Sequence, residues 1–313
     1  LVLYTQILSG RYTGAGMLRL GIVDCDTSHV IAFTQRLNHL DIAEDQWVDG
    51  ATVVAAVPLP SQVSPERVGP FVERLRGYGV EILDAPEALV GRVDGVLIEA
   101  VDGSVHRERA LPFVEAGLPV WVDKPLACST ADAREIVAAA ARRGVPVFSA
   151  SGLRYDLPVQ AVLSQRETAG RVLGVDAYTP ASTHPRNPGF FHYAVHGVEI
   201  VYSLMGTGCR RVRCVHTDEV DVAVGEWPDG RLASVRGTRQ GSYGLGFTAF
   251  AEKRVISGTS STYFYRELLQ RIVETMRTGK APLSGEELIE VVAFQEAANA
   301  SMERGGTPIP LEV

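Results

Sequence analysis

Three groups of residues in this sequence could do chemistry on a small molecule. The first is Trp121-Val-Asp-Lys-Pro125. A Lys at the end of a buried strand, followed by Pro, points an ammonium into the crevice at the strand end. There it can orient a substrate hydroxyl or donate to a developing oxyanion. The plainer alternative is a surface lysine. The second group is Phe190-Phe-His-Tyr-Ala-Val-His-Gly197. On a helix over residues 191–205, His192 and His196 fall at i and i+4 on one face, and Glu199 follows at i+7. A neutral imidazole suits removal of an alcohol proton near neutral pH. The same spacing also suits two structural histidines, or a metal pair completed by His184 or Glu199. The base reading ranks above the metal reading.

The third group is Gly21-Ile-Val-Asp-Cys-Asp-Thr-Ser-His29. It lies where a dinucleotide fold carries G-x-G-x-x-G. Only Gly21 remains, inside a strand, and bulkier residues including Asp24 and Asp26 replace the other glycines. Two carboxylates beside a diphosphate repel it. The N–H groups of Thr27, Ser28 and His29 at a helix start can still hold an anion, and Thr27 and Ser28 add hydroxyls. Asp26, Thr27, Ser28 and His29 are thus the loop's cofactor-binding candidates. The next strand ends Val57-Pro-Leu-Pro60, without the acid that would hold a ribose.

Other candidates surround these groups. Arg154 and Tyr155 follow a strand end and are expected to face a cleft between domains. Arg154 would contact an anionic or carboxamide group of a cofactor, and Tyr155 the substrate. His184 and Arg186 sit in a Pro-rich loop over residues 180–188 and could reach the substrate, as could Tyr193. Cys209, Cys214 and His216 allow a zinc reading, but strand alternation over residues 211–216 explains them better. Cys25 and Cys128 read as small buried side chains rather than nucleophiles.

The elements that position these residues change character along the chain. Over residues 17–150, apolar strands at 18–23, 52–57, 95–98, 119–122 and 146–149 alternate with helices at 28–40, 65–78, 106–116 and 129–143. That alternation predicts a Rossmann-like doubly wound parallel sheet, with ligands at the carboxyl ends of its strands. Over residues 151–313, short alternating strands dominate, and Trp227-Pro-Asp-Gly230 reads as a hairpin turn. The expected second domain is α/β with an open, mostly antiparallel sheet, and its last helix, over residues 286–304, would pack back on the first domain. Residues 1–16 read as an extension or a remnant, with no basic n-region that would make a signal peptide.

Composition narrows the function class. The chain has 313 residues, long enough for two domains, with 46% hydrophobic and 21% charged residues. The net charge of −7 argues against a nucleic-acid partner. No apolar run approaches the ~20 residues of a membrane span. Four cysteines are too sparse for a disulfide framework and fit a reducing, cytoplasmic compartment.

Taken together, the segments resemble the glucose–fructose oxidoreductase / inositol dehydrogenase / MocA family, from residue 18 to about residue 311. The resemblance rests on Val93-Asp-Gly-Val-Leu-Ile98, His106 through Gly117, Val120-Trp-Val-Asp-Lys-Pro125, Ser151-Gly-Leu-Arg-Tyr155, and Thr278-Gly-Lys-Ala-Pro282 through Gly305-Gly306. It implies a nicotinamide cofactor, NAD or NADP, and redox chemistry on a sugar, polyol or related carbonyl compound. It implies Lys124 and His196 as catalytic residues with His192 beside them, and Asp123 and Lys124 near the cofactor. It also implies a homodimer or homotetramer built on the open sheet face. Two departures stand out: Asp123 replaces the family's Glu before the Lys, and His192 stands where the family has an Asp. The alternative is a cofactor-independent or metal-assisted lyase, isomerase or epimerase.

Overall fold

The computed structural model describes residues 16–312. All but the last residue of the expected extension over residues 1–16 lies outside that range. The chain forms two compact units. Unit one holds the chain through Asp123, then Glu135–Ser149 and Leu269–Ser284. Unit two holds Lys124–Arg134, Ala150–Leu268 and the residues from Gly285 onward. The chain therefore passes between units several times, rather than once near Ser151.

Unit one contains β1 (Leu18–Val23), α1 (His29–Leu37), β2 (Ala51–Val57), α2 (Pro65–Gly77), β3 (Glu81–Ile82), β4 (Gly95–Ile98), α3 (His106–Glu115), β5 (Val120–Val122), most of α4 (Thr130–Arg143) and β6 (Val147–Phe148). The strands form one sheet in the order β3-β2-β1-β4-β5-β6, with every pairing parallel. All four residues of β4 and all three of β5 are buried. This is the continuous apolar pattern of strands covered on both faces. The order reverses between β1 and β4, so the crevice lies at the carboxyl ends of those strands. Gly21 is a packing glycine within β1, because a Cβ there would meet Leu89 Cδ2 at 2.7 Å.

Unit two contains α5 (Leu157–Ser164), α6 (Arg166–Ala169), β7 (Val172–Pro180), α7 (Val195–Met205), β8 (Arg211–His216), β9 (Val220–Glu226), β10 (Leu232–Thr238), β11 (Gly246–Ala251), β12 (Val255–Thr259), the start of α8 (Phe264–Thr278), α9 (Gly285–Glu303) and β13 (Ile309–Pro310). Its sheet runs β12-β11-β7-β10-β9-β8-β13. The β10–β7 pairing is parallel and the others are antiparallel. Trp227 through Gly230 turns β9 into β10, with Gly230 at φ 85°. Val198, Tyr202, Val235, Phe247 and Phe294 are core residues, while Leu173, Val215, Leu232, Phe250 and Val255 are exposed on strands of the same sheet.

α9 lies in unit two, where Glu296 accepts from the Thr130 N–H at 3.1 Å, and the later part of α8 belongs to unit one. There Arg277 donates to the Gly50 carbonyl at 3.0 Å, and a Cβ on Gly95 would meet Met276 Sδ at 2.6 Å.

α7 sits close to its sheet at Gly197, where a Cβ would meet Val235 Cγ1 at 2.6 Å and Thr179 Cγ2 at 3.3 Å. Gly197→Ala is expected to destabilise the chain by a net ~1–2 kcal/mol, because overpacking outweighs the gain in helix propensity. Urea unfolding checks this; an unchanged or raised midpoint contradicts the close packing.

Candidate functional site

The loop from β1 to α1 carries Asp24 at φ 67°, a left-handed conformation that Asp tolerates better than most residues with a Cβ. The turn is therefore made at Asp24, not at Gly21. Asp24 is buried, with Oδ2 at 3.3 Å from Arg109 Nε on α3. Burial raises its carboxyl to about 7; Arg109 opposes the rise, and Asp26 and Asp102 add to it. Asp26 is buried too. Its Oδ1 accepts the Val101 N–H at 2.9 Å, and its Oδ2 accepts Ser61 Oγ–H at 2.5 Å. One side chain thus joins the loops that follow β1, β2 and β4.

Two further acids line the same strand ends. Glu99, directly after β4, is fully buried, and its carboxyl oxygens have no hydrogen-bond partner among the described residues. Burial drives its carboxyl well above the usual range, with Asp123 and Asp26 pushing the same way. Asp123, directly after β5, is fully buried with Oδ2 2.9 Å from His29 Nδ1. The His29 ring stacks on Phe33 at 4.9 Å between centroids. His29 and Asp123 therefore tie the start of α1 to the end of β5. Of the loop candidates for a cofactor, Asp26 and His29 are engaged with protein groups. Thr27 is buried, with Oγ1 accepting the His29 N–H at 3.4 Å, and Ser28 is exposed at the helix start.

The catalytic and substrate candidates fall in unit two. Lys124 begins that unit and is joined to Pro125 by a cis peptide. A 3₁₀ turn over Gly189–Phe191 precedes α7, which starts at Val195. The expected helix over 191–205 is therefore shorter, because Gly189 at φ 53° and the turn after it use up the first residues. His192 directly follows that turn, before the start of α7, and does not share a helical face with His196. Its Nδ1 is 3.5 Å from Asn187 Nδ2, and its ring is 6.1 Å from that of His184. Asn187 Oδ1 also accepts from Cys128 Sγ at 3.2 Å. Tyr193 meets the His196 ring edge-on at 4.9 Å. Arg186 is exposed in the same loop.

His196 has an orienting partner that sequence reasoning did not find. Ser151 Oγ is 2.7 Å from its Nδ1, and the same oxygen accepts the Leu153 N–H at 3.2 Å. The Ser151 backbone N–H donates to Glu199. Glu199 Oε2 is in turn 2.5 Å from Arg154 Nε, and Arg154 reaches Glu287 Oε1 at 2.6 Å. Burial pulls the Arg154 guanidinium down, but Glu199 and Glu287 outweigh it and hold the group charged. Arg154 is thus a buried ion-paired support behind His196, not a group open to a cofactor. Tyr155, one residue on, is buried in the 3₁₀ turn Gly152–Tyr155. Glu199 is not available as a third metal ligand, and no group of three or more His, Cys, Asp or Glu among the described residues is arranged to hold a metal. Cys214 is buried on β8, and burial pushes the thiols of Cys209 and Cys214 up to about 12. Cys25 is buried in the β1–α1 loop.

These features define a class: a Rossmann-type unit joined to a mixed-sheet α/β unit that carries an oriented histidine. Residues 37–151 match GFO_IDH_MocA, described as an oxidoreductase family with an NAD-binding Rossmann fold. The family resemblance drawn from the sequence is borne out over these residues. D-apiose dehydrogenase of Paraburkholderia graminis is 30% identical over 164 residues, covering 50% of this chain and 38% of that protein. 1,5-Anhydro-D-fructose reductase of Ensifer adhaerens is 34% identical over 113 residues, covering 35% of this chain and 33% of that protein. The matches thus span about a third of each relative's own length. Myo-inositol dehydrogenase of Lactobacillus casei, solved with NAD(H) and myo-inositol, shares the fold at a TM-score of 0.76, with 14% identity over 95% of this chain and 97% of that one.

The loop itself tests whether a dinucleotide suits unit one. Its backbone does: Asp24 makes the left-handed turn, and α1 presents its N-terminus with Thr27 and Ser28. Thr27 and Ser28 are the residues that would hold a phosphate. Asp24 is held by Arg109, and Asp26 accepts from Ser61 and Val101, so the room that glycines would leave here is taken by two acid side chains.

A raised carboxyl stabilises the fold most when protonated in both states, and that contribution is lost as pH rises from the unfolded to the folded pKa. For Asp24 that window runs from 3.8 to about 7. Relative to Asp24→Asn, the wild-type chain should lose unfolding free energy across this window and then run parallel above it. Chemical denaturation at a series of pH values checks the slope; a constant difference would mean that Asp24 titrates normally.

Proposed function

We propose that this chain is a nicotinamide-dependent oxidoreductase that uses NAD or NADP on a sugar, polyol or related small hydroxy or carbonyl compound. The observation that carries the reading is the Ser151–His196 couple at the start of α7, with Tyr193 against the ring. A bond at Nδ1 fixes the imidazole and directs proton transfer to Nε2. His196 would take the hydroxyl proton in oxidation and return it in reduction. Lys124 would donate a hydrogen bond to the reacting oxygen. His192, His184, Arg186, Tyr193 and Tyr155 would shape the substrate pocket. The nicotinamide supplies hydride acceptance or donation when bound. The matched family and its sugar-acting relatives support the assignment.

Ser151 is neutral, so it orients the ring but stabilises an imidazolium less than a carboxylate would. The support behind it is charged but one step removed, through Glu199 and Arg154. This predicts a graded response. His196→Ala should lower kcat by about 10²–10⁴-fold. Ser151→Ala should lower kcat more than it changes KM. A panel of sugars and polyols, followed by reduced-nicotinamide absorbance with both dinucleotides, checks the reading. Full turnover in His196→Ala would remove His196 from the proton step.

A homodimer or homotetramer belongs to the same reading, as does a cytoplasmic location. The exposed Leu173, Val215, Leu232 and Val255 of the second sheet would be covered in an oligomer. Light scattering of the purified chain is expected to show more than one subunit; a monomer at micromolar concentration would contradict it.

A further inference from the structure

The loop after β1 keeps the backbone of a phosphate-binding turn but fills it with a carboxylate. In doubly wound folds the second glycine of this turn exists so that a diphosphate can approach the backbone. Here the corresponding segment carries Asp26, which is 2% exposed. Its carboxylate lies buried among the loops after β1, β2 and β4, and takes one donor from each of the latter two. The Val101 N–H lies 2.9 Å from Oδ1, and Ser61 Oγ lies 2.5 Å from Oδ2. Ser61 Oγ also accepts the N–H groups of Ser64, at 2.9 Å, and Val63, at 3.1 Å. The serine is therefore locked in place as a donor to Asp26. These are donors of the kind that a phosphate oxygen would use.

We propose that Asp26 fills the room that the second glycine would leave for a diphosphate and takes up the donors beside it, so that a nicotinamide dinucleotide binds unit one in competition with this side chain and therefore weakly. The inference rests on the dinucleotide-dependent reading above and specifies the residue that sets cofactor affinity. Asp24, held by Arg109, shapes the turn; Asp26 is the residue whose oxygens meet the donors.

The test is equilibrium titration of the purified full chain with NADH and NADPH, followed by nucleotide fluorescence. Wild type is compared with Asp26→Gly, Asp26→Asn and Asp26→Ser. Asp26→Gly frees both donors and removes the charge, and should bind at least one dinucleotide 10-fold or more tighter than wild type. Asp26→Asn keeps the shape and removes the charge, and should fall between the two. Asp26→Gly also cuts the stitch between three loops, so its melting temperature is measured alongside. If it does not fold, Asp26→Asn and Asp26→Ser carry the test, with several-fold tighter binding expected. Equal or weaker binding by the folded variants overturns the proposal while leaving a wild type that binds NADH as a dinucleotide enzyme. Binding by the variants but not by wild type upholds the proposal and overturns the dinucleotide-dependent reading of the native chain. No binding by any form up to millimolar concentration overturns both.

Discussion

A carboxylate buried at the end of a parallel strand must find a donor, a cation or a proton. Four of the buried acids in the loops after β1, β4 and β5 of unit one show all three answers. Asp24 has Arg109, Asp26 has an N–H and a hydroxyl, Asp123 has His29, and burial with its acidic neighbours pushes Glu99 toward the protonated acid. Each answer fixes a piece of backbone. Asp26 draws three loops together, and the Asp123–His29 pair sets the start of α1 against the end of β5. The shape of the crevice follows from this acid arrangement, because removing any partner would leave a buried charge that costs several kcal/mol.

Unit two solves a related problem in reverse. Arg154 is a buried cation, balanced by Glu199 and Glu287. Glu199 also accepts the Ser151 N–H, and Ser151 holds His196. The ion pairs therefore reach the imidazole through one backbone group and one hydroxyl. That arrangement orients the ring without placing a full charge against it. His192, where the resemblance implies an Asp, sits in a different cluster with His184 and Asn187.

The strand–helix alternation was legible because buried parallel strands are continuous apolar runs and α1 to α4 keep helical periodicity. Both survive without tertiary context. The hairpin at Trp227 through Gly230 was legible from turn chemistry. β3 and β13, two residues each, carry no periodicity and were not. The start of α7 was misplaced because Phe190, Phe191 and Val195 fit a helical stripe, yet Gly189 and the turn after it end at Val195. The site was legible as residue types but not as partnerships. Lys124 and His196 stood out by position. Ser151, Glu199 and Arg154 form their network across distant segments, and spacing along the chain does not encode such contacts. Arg154 looked like a ligand contact because an Arg after a strand end usually faces solvent; its two acids are 45 and 133 residues away.

The two acids of the β1–α1 loop show why a motif's loss and a fold's loss are different events. A glycine in a phosphate-binding turn serves two demands: a positive φ and room for the ligand. Asp24 meets the first, since a short polar side chain tolerates the left-handed region. Nothing in the loop meets the second in the way glycine does, because Asp26 puts a carboxyl group where the glycine would leave space. The sheet, the helix start and the loop path need only the first demand, so unit one keeps its fold. Ligand affinity depends on the second. The backbone thus keeps the left-handed turn of a phosphate-binding loop, while the side chains at positions 24 and 26 fill the space that glycines would leave.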